Sequence, residues 1–290
     1  MLRTLKFIAS HPLTRNNKTS AMLNFLSWQI GSRVLKQPSI CTFTESTKLI
    51  AWPGLKGATG NVYCGLHEFE DMGFLLHFLR PSDLFVDIGA NIGSYTILAA
   101  ADVKASVMAV EPLPKTFDIL LQNIAINHAA KRVEALNMAL GAKKDVLKFT
   151  STHDTGNHIA IGGEKDVVEV PVNALDHVLY GKVPALIKID VEGYEADVLS
   201  GATSTLQEPT LKAIIIELNG SGGRYGHSEE AIHSSLLKLG FKPAHYNPFN
   251  RTLSEAQNFG THNTIYIRDQ EYVMSRLKEA TPFHVRGQHI

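Results

Sequence analysis

Residues 87–94 have the types and the spacing to hold a charged small molecule. An apolar run ends at Asp87, and a turn rich in small residues leads from it into a helix-compatible segment. The residues of this turn and helix start are Gly89, Ala90, Asn91, Gly93 and Ser94. Glycine lets the backbone approach a ligand closely, and amides at a helix start attract negative charge. The pattern predicts a strand, a loop and a helix around a nucleotide-like ligand, although an ordinary glycine turn has the same residues.

Asp87 distinguishes this loop from the dinucleotide fingerprint G-x-G-x-x-G, because the sequence is Asp-x-Gly-x-Asn-x-Gly. A carboxylate at the mouth of the loop would repel a pyrophosphate but would orient an amino group. S-adenosylmethionine carries an ammonium, a carboxylate and a sulfonium, and it has no phosphate. Asp87 therefore favours S-adenosylmethionine over NAD.

Three further residues are candidates for the nucleoside part of such a ligand. Glu111 follows the second predicted strand, beside the first loop of a β-α-β unit, where an acidic side chain can accept both ribose hydroxyls. Pro112 would offer an apolar face to a purine ring. Asn137 ends the third predicted strand and could bind the adenine edge. The alternatives are a surface role for Glu111 and an ordinary turn role for Asn137.

Two carboxylates, Asp190 and Glu192, follow the fourth predicted strand just before a glycine turn and a helix. At the carboxyl edge of a sheet they could accept the proton of a hydroxyl during methyl transfer. Such general-base catalysis contributes on the order of a hundredfold to ten-thousandfold. The alternative is that Asp190 caps the helix and that Glu192 pairs with Lys188.

The fifth predicted strand ends at Glu217, which Asn219 follows closely. Together with Asp190 they form an oxygen-rich set of the kind that a hard divalent cation accepts. A metal-free base and its partner would use the same residues, and we favour that interpretation. Residues 219–226 contain four glycines and predict either a lid over the substrate or a plain loop.

A polar loop at residues 151–163 is long enough to be functional. It contains His153, Asp154, Asn157 and His158. The thirteen histidines of the chain do not fall at metal-ligand spacings, and we expect only His158 among them to contact a substrate.

The order of apolar runs and amphipathic segments from residue 84 onward predicts an α/β fold with a mostly parallel sheet and helices on both faces. Strands are predicted at 84–87, 106–110, 133–136, 146–149, 167–172, 185–190, 212–218, 241–246 and 264–267. Helices are predicted at 94–101, 115–126, 194–200 and 228–239. The last two strands are expected to pair antiparallel at the sheet edge.

The N-terminal part of the chain has a different pattern. Residues 1–17 are expected to be a loose arm, and 19–35 predict an amphipathic helix. Short strands at 40–43 and 49–52, a break with glycines at 57–60 and a helix at 68–79 complete a small α+β cap. We therefore predict an arm and cap at 1–80, a catalytic domain at 81–270 and a tail at 271–290.

The 290-residue composition excludes several classes of protein. Lys plus Arg and Asp plus Glu both total 28, so the formal charge is zero and nucleic-acid binding is not indicated. No segment has the roughly 18 consecutive apolar residues of a membrane span. Two cysteines, Cys41 and Cys64, do not suggest a disulfide framework, and the N-terminal apolar run is too short for a signal peptide. A cytoplasmic location is the expectation.

Several segments, taken in order, resemble one protein family. They are FVDIGANIGSYTILAA, VEPLP, NMALG, IKIDVEGYEADVLSGA and IIIELN. This series is similar to the FkbM family of S-adenosylmethionine-dependent methyltransferases and covers about residues 60–268. The resemblance implies a Rossmann-like sheet of seven strands, one of them an antiparallel edge strand, and methylation of oxygen on sugars or natural products.

By match to the family motifs, the resemblance also implies roles for single residues. The implied cofactor loop consists of Asp87, Gly89, Asn91 and Gly93, and Glu111 holds the ribose. Asp190, Glu192 and Glu217 line the reacting end. Residues 1–60 lie outside the matched part, so the acceptor stays open, as does the use of a metal.

The leading hypothesis is an O-methyltransferase that uses S-adenosylmethionine, yields S-adenosylhomocysteine and acts on a hydroxylated small molecule or glycan. A nicotinamide-dependent oxidoreductase on the same type of sheet and a non-catalytic S-adenosylmethionine-binding module are the alternatives. The sequence makes no prediction about the oligomeric state.

Overall fold

The computed structural model describes residues 2–35, 37–53, 56–151, 157–164 and 166–290. The α-helices are α1 (Leu2–Ser10), α2 (Lys18–Leu35), α3 (Lys56–Cys64), α4 (Phe69–Phe78), α5 (Ser94–Ile97), α6 (Pro114–Ile126), α7 (Leu175–Leu179), α8 (Glu195–Ser200), α9 (Thr203–Gln207), α10 (Glu229–Lys238) and α11 (Gln270–Glu279). A π-helical turn, Leu98–Val103, continues α5, and a 3₁₀ turn, Ser221–Tyr225, precedes α10.

The strands divide into a central sheet, a smaller sheet and two hairpins. They are β1 (Ser39–Thr42), β2 (Lys48–Ala51), β3 (Leu84–Ile88), β4 (Ser106–Val110), β5 (Val133–Leu136), β6 (Ala139–Leu140), β7 (Asp145–Thr150), β8 (Val167–Asn173), β9 (Leu186–Ile189), β10 (Ala213–Glu217), β11 (Lys242–Asn247), β12 (Thr252–Glu255), β13 (Asn263–Ile267), β14 (His284–Val285) and β15 (Gln288–His289).

The central sheet has the strand order β12-β11-β13-β10-β9-β3-β4-β5 in the described chain. The strands from β10 to β5 are parallel, whereas β13 runs antiparallel to both of its neighbours, β10 and β11. β6, β8 and β7 form the smaller sheet beside it. This arrangement confirms the predicted α/β class with a mostly parallel sheet.

Alternating side chains of the central strands divide the core into two layers. In β10, Ala213 and Ile215 face the layer that contains α4, whereas Ile214 and Ile216 face the layer that contains α8, α9 and α10. Strands buried on both faces are continuously apolar, which explains why the sequence between these layers is so rich in Ile and Val. Polar residues in such strands therefore stand out, and Asp87 and Lys188 are two of them.

Four features differ from the expectations. Residues 2–10, predicted as a loose arm, form α1, whose Ile8 packs against a small cluster with Phe25 and Tyr63. The glycine-containing break predicted at 57–60 lies within α3, because tertiary packing of Tyr63 and Cys64 outweighs the low helix propensity of glycine.

The central sheet also has one strand more than the seven expected. The additional strand, β12, pairs with β11 and has little buried surface, so its sequence carries no apolar run. β13 pairs antiparallel with β11 as predicted, but it lies between β11 and β10, inside the sheet. His153 and Asp154 of the polar loop lie outside the described residues.

We expect Leu277→Ala in α11 to lower the free energy of unfolding by about 2–5 kcal/mol, because Leu277 is fully buried in the core layer that contains α4. Urea denaturation followed by circular dichroism measures the change. Lys278→Ala, on the exposed side of the same helix, is the matched control and should change stability by less than about 0.5 kcal/mol. Equally small effects of the two substitutions would contradict the packing of α11 against the core.

Candidate active site

A cavity of about 330 Å³ opens at the carboxyl ends of β3, β4, β9 and β10. This is the edge of a parallel sheet where ligands bind in open α/β folds. The predicted residues that line it are Asp87, Gly89, Ala90, Asn91, Ser94, Glu111, Pro112, Asp190, Glu192 and Glu217. The structure thus brings the two sequence stretches around residues 87–94 and 190–192 to one site.

Glycine is required in the first loop for steric reasons. Gly89 has a φ of +76°, and a Cβ there would lie 1.8 Å from the carbonyl oxygen of Asp190. Gly93 also has a positive φ, of +93°, and its Cβ would lie 2.5 Å from a methyl group of Leu120 on α6. Gly89 therefore allows the two loops that line the cavity to touch, and Gly93 allows α6 to pack beneath the first one.

Asp87 is completely buried, with 1% of its surface exposed. Its Oδ2 accepts a hydrogen bond from the Thr96 hydroxyl at 2.6 Å, whereas Oδ1 has no partner among the described residues. Burial raises the pKa of Asp87, and the nearby Lys188 opposes this shift. A buried carboxylate oxygen without a partner is costly, so a cationic ligand group at this position would stabilise it.

Glu111 is buried beside the same loop. Its two oxygens accept backbone N–H groups of Asn91 and Leu113, each at 2.9 Å. Burial raises the pKa of Glu111 to about 7, although these two donors lower it. Asn137 supports the turn from outside the cavity, because its side-chain amide donates to the carbonyl oxygens of Glu111 and Pro112 at 2.9 and 3.0 Å.

Three carboxyl groups form an acidic triad, Asp190, Glu192 and Glu217. An oxygen of each lies within 4.8 Å of an oxygen of the other two. Burial and the charge of Asp190 raise the pKa of Glu192 to about 7. Burial and the charges of both neighbours raise the pKa of Glu217 to about 9. The three groups could hold a divalent cation or share protons among themselves.

Lys188 lies next to this triad and compensates part of its negative charge. Its ammonium is buried, donates to Oδ2 of Asp190 at 2.7 Å and lies 4.8 Å from the centre of the Tyr95 ring. Burial by itself would lower the pKa of Lys188, but Asp190, Glu68 and Asp87 raise it above its usual value. Lys188 thus pairs with Asp190 and not with Glu192, the pairing that the sequence offered as an alternative.

The turn after β9 is held by a residue that the sequence analysis did not single out. Glu195 is buried at the start of α8, and one of its oxygens accepts the N–H groups of Val191 and Gly193 at 3.2 and 3.1 Å. Asp190 does not cap α8, which begins after Tyr194 without a side-chain cap. Glu192 has a φ of +55°, a rare conformation for a residue with a side chain and one that is common at functional sites.

Residues from the N-terminal cap form a wall of the cavity that sequence reasoning missed. Asn61, His67, Glu68 and Met72 line it. Glu68 accepts hydrogen bonds from the Tyr95 hydroxyl at 2.8 Å and from the Asn263 amide at 2.9 Å. Two acidic residues, Glu68 and Asp71, at the start of a helix with an apolar face were the available signal.

The polar loop at residues 151–163 and the glycine-rich segment at 219–226 contribute to the cavity differently from expectation. Asn157 and Ile159 of the polar loop line the cavity, but His158 does not belong to that lining. Residues 221–225 form a 3₁₀ turn, and the Tyr225 hydroxyl donates to the Ile159 carbonyl oxygen at 2.9 Å. These contacts place the segment at 219–226 beside the polar loop.

We expect Glu217→Gln to have a higher free energy of unfolding than the wild type, by a margin that grows as the pH rises from 5 to 8. The folded-state pKa of about 9 exceeds the usual 4.5, so the wild type loses stability across this interval, whereas glutamine does not titrate. Urea unfolding at several pH values measures the difference. The exposed Glu208→Gln is the control, and a difference for Glu217→Gln that does not change with pH would contradict the assigned protonation.

Comparison with protein families gives a match to the methyltransferase FkbM domain over residues 87–243. The matched region contains the first loop, Glu111 and all three members of the acidic triad. It excludes the wall formed by Asn61, His67, Glu68 and Met72.

Two curated relatives and one solved structure are among the proteins to which this chain is similar. The hexuronic acid methyltransferase AglP of Haloferax volcanii is 30% identical over 52% of this chain and 62% of its own length, which is less than two thirds. The 31-O-demethyl-FK506 methyltransferase FkbM of Streptomyces tacrolimicus is 26% identical over 54% and 74%. The structure of M. jannaschii TYW2 in complex with AdoMet has a TM-score of 0.41 at 17% identity, covering 80% of this chain and 85% of that one.

The family match spans more than half of the 290 residues and includes the loop and the acidic triad that line the cavity. The chain belongs to the FkbM family of S-adenosylmethionine-dependent methyltransferases.

Proposed function

We propose that this protein transfers the methyl group of S-adenosylmethionine to a hydroxyl oxygen of a sugar, a glycan or a small natural product. The observation that carries the proposal is the acidic triad, because it lies in the same cavity as the loop at residues 87–94. Carboxylates with raised pKa values are suited to accept a hydroxyl proton near neutral pH. The acceptors in the names of the two relatives, a hexuronic acid and demethyl-FK506, support a hydroxylated acceptor.

The cavity residues fit the cofactor. The unpartnered Oδ1 of Asp87 is suited to the ligand's ammonium, and the cavity volume lies in the range of small-molecule sites. The Glu111 carboxylate would accept the ribose hydroxyls, and Pro112 would pack on the purine. Gly89, Ala90, Asn91 and Ser94 would form the cradle around the amino-acid end. Gly93 would support this cradle by letting α6 pack beneath it, and Asn137 would act by holding the Glu111–Pro112 turn.

We assign the proton-accepting role within the triad to Glu192. Its pKa of about 7 matches the pH at which a general base works best. Asp190 is paired with Lys188, and Glu217, with a pKa of about 9, keeps its proton at neutral pH. Asp190 and Glu217 therefore set the charge around Glu192, and the acceptor hydroxyl would lie against this carboxylate.

When bound, the cofactor supplies a methyl group activated by its sulfonium. The acceptor oxygen would form the new bond to that carbon as the carbon–sulfur bond broke, and the Glu192 carboxylate would take up the hydroxyl proton. The protein's part is to align the oxygen with the methyl group and to exclude water. We favour this metal-free mechanism because Lys188 already supplies a positive charge beneath the triad.

We further propose that residues 81–270 form the catalytic unit and that the cap at 1–80 selects the acceptor. The cavity wall of Asn61, His67, Glu68 and Met72 belongs to this cap. Because this wall lies outside the family match, it is suited to determine a property that differs between family members, such as the identity of the acceptor.

We expect Glu111→Gln to weaken S-adenosylmethionine binding by about 10- to 100-fold, since hydrogen bonds to a charged group are lost. Wild-type affinity should rise with pH up to about 7, because the ribose hydroxyls stabilise the ionised carboxylate, and this rise should disappear in the variant. Isothermal titration calorimetry measures both effects.

The exposed Glu169→Gln serves as the control for the Glu111 variant. The same titration with S-adenosylhomocysteine and NAD tests the ligand class. Tight binding of NAD without a response to S-adenosylmethionine would refute the proposed function in favour of an oxidoreductase.

We expect Glu192→Gln to lower turnover by about a hundredfold to ten-thousandfold with S-adenosylmethionine affinity retained. In the wild type, turnover should rise with pH through about 7 as Glu192 loses its proton. Asp190→Asn should also lower turnover. It should shift the rise of turnover with pH to lower pH, because the Asp190 charge helps to raise the pKa of Glu192. Radiolabelled methyl transfer into fractionated hydroxylated acceptors provides the assay.

Unchanged turnover in Glu192→Gln would remove the base assignment. Absence of methyl transfer by the wild type, with S-adenosylmethionine binding retained in all three triad variants, Glu217→Gln included, would favour the non-catalytic binding module. Loss of activity on adding a chelator, restored by a divalent cation, would contradict the metal-free mechanism.

A further inference from the structure

The net charge of zero conceals a strong segregation of charge along the chain. Residues 1–44 contain six Lys and Arg residues and no Asp or Glu, and Glu45 is the first acidic residue. Residues 45–290 consequently hold 22 of the 28 basic residues and all 28 acidic ones. The N-terminal segment is thus strongly cationic, while the remainder is anionic.

The basic side chains of this segment reach solvent. Arg3 and Lys6 on α1, Arg15 in the turn that follows, and Lys18 and Arg33 on α2 are all exposed. Exposed positive charge that is concentrated in one segment attracts an anionic surface, and the attraction weakens as salt is added.

Helix α2 is apolar on two sides. Ala21 and Phe25 are buried against Tyr63, so one side packs on the rest of the cap. The opposite side carries an exposed apolar stripe, which consists of Leu23, Leu26, Ile30 and Val34 at 60%, 45%, 63% and 73% exposure. At 100° per residue these four fall within an arc of about 80°.

The stripe is not a scatter of single surface residues. Of the fourteen exposed large apolar residues in the described chain, six lie between residues 2 and 40, namely the four of the stripe together with Leu2 and Ile40. Isolated exposed apolar residues are common, whereas a continuous row marks a surface that another apolar phase covers. Arg33 lies next to the row on the same helix, so charge and apolar surface occur together.

We propose that α1 and α2 form a docking surface for anionic lipid membranes. The exposed apolar stripe would insert at headgroup depth, and the basic residues would face the lipid phosphates. No described helix is long and apolar enough to cross a bilayer, so the contact is one of a helix lying on the surface. The inference is independent of the methyl-transfer proposal.

Charge favours an anionic membrane over two other partners, a second copy of the chain and a nucleic acid. A second copy of the chain would bring two cationic segments together if the stripes paired with each other, which like charge opposes. A nucleic acid would satisfy the basic residues but would leave the stripe exposed to water. An anionic bilayer offers both the charge and the apolar phase, and the anionic remainder of the chain would be repelled from it, which orients the protein.

The test is vesicle flotation of the full chain. We expect binding to vesicles of phosphatidylcholine and phosphatidylserine in a ratio of about three to one, and little binding to phosphatidylcholine alone. A stripe variant, Leu23→Gln with Ile30→Gln and Val34→Gln, should lose about tenfold or more in affinity. The matched control changes three exposed apolar residues elsewhere, Leu121→Gln, Tyr180→Gln and Leu237→Gln, and should bind like the wild type.

A second variant keeps the test valid if the stripe variant does not fold. Arg15→Gln with Lys18→Gln and Arg33→Gln should lose on the order of a hundredfold, at about fivefold per basic residue, and added salt should weaken the wild type similarly. Thermal unfolding and S-adenosylmethionine titration of each variant verify that the catalytic part is intact.

Four results would overturn the inference. The first is the absence of wild-type binding to the anionic vesicles. The second is unchanged binding of the stripe variant, and the third is a wild-type dimer that the stripe substitutions convert to a monomer without any vesicle binding. Binding of an RNA duplex without vesicle binding would assign the basic segment to nucleic acid and would equally refute the membrane proposal.

Discussion

The site depends on one buried cation, the ammonium of Lys188. Burying an ammonium is costly unless opposite charges compensate for it, and here Asp190 pairs with it while Glu68 and Asp87 lie close enough to raise its pKa. Because this cation is satisfied by Asp190, the remaining carboxyls of the triad share a site with a charge of their own sign. Burial and this like charge together raise their pKa values, and the site acquires a group that can take up a proton near neutral pH.

Sheet register places these groups together. Asp87 on β3 lies directly opposite Lys188 on β9, and Ile189, one residue before Asp190, pairs with Ile216, one residue before Glu217 on β10. Parallel strands that end at the same level deliver their following residues to one edge. The two glycine turns then let the backbones touch, because a Cβ on Gly89 would lie only 1.8 Å from the Asp190 carbonyl oxygen. The chemistry of the cavity is therefore a consequence of strand alignment.

The N-terminal cap connects this site with the rest of the surface. α3 and the segment before α4 supply Asn61 and Glu68 to the cavity wall, and Asn61 donates a hydrogen bond at 3.0 Å to the hydroxyl of Ser94 in the first loop. α2 packs on α3 through Phe25 and Tyr63 and presents its exposed apolar stripe on the other side. If the stripe binds a membrane, the same cap would fix the position and orientation of the acceptor side of the cavity relative to the bilayer.

The sequence by itself determined where the functional strands end. Asp87, Glu111, Asp190 and Glu217 each follow an apolar run, and a run of this kind can be recognised locally because buried parallel strands are continuously apolar. The α/β class and the glycines of the first loop follow from the same short-range pattern. Only the tertiary structure decided which groups are partners. Lys188 pairs with Asp190, Asn137 holds a turn outside the cavity, and Glu68 and Asn61 reach it from the cap. Lys188 and Asp190 are close in the chain, but burial decides that Lys188 pairs with Asp190 and not with Glu192. The other contacts join residues that are distant in the chain, and protonation depends on burial and on charges brought together by folding, so no local pattern specifies them.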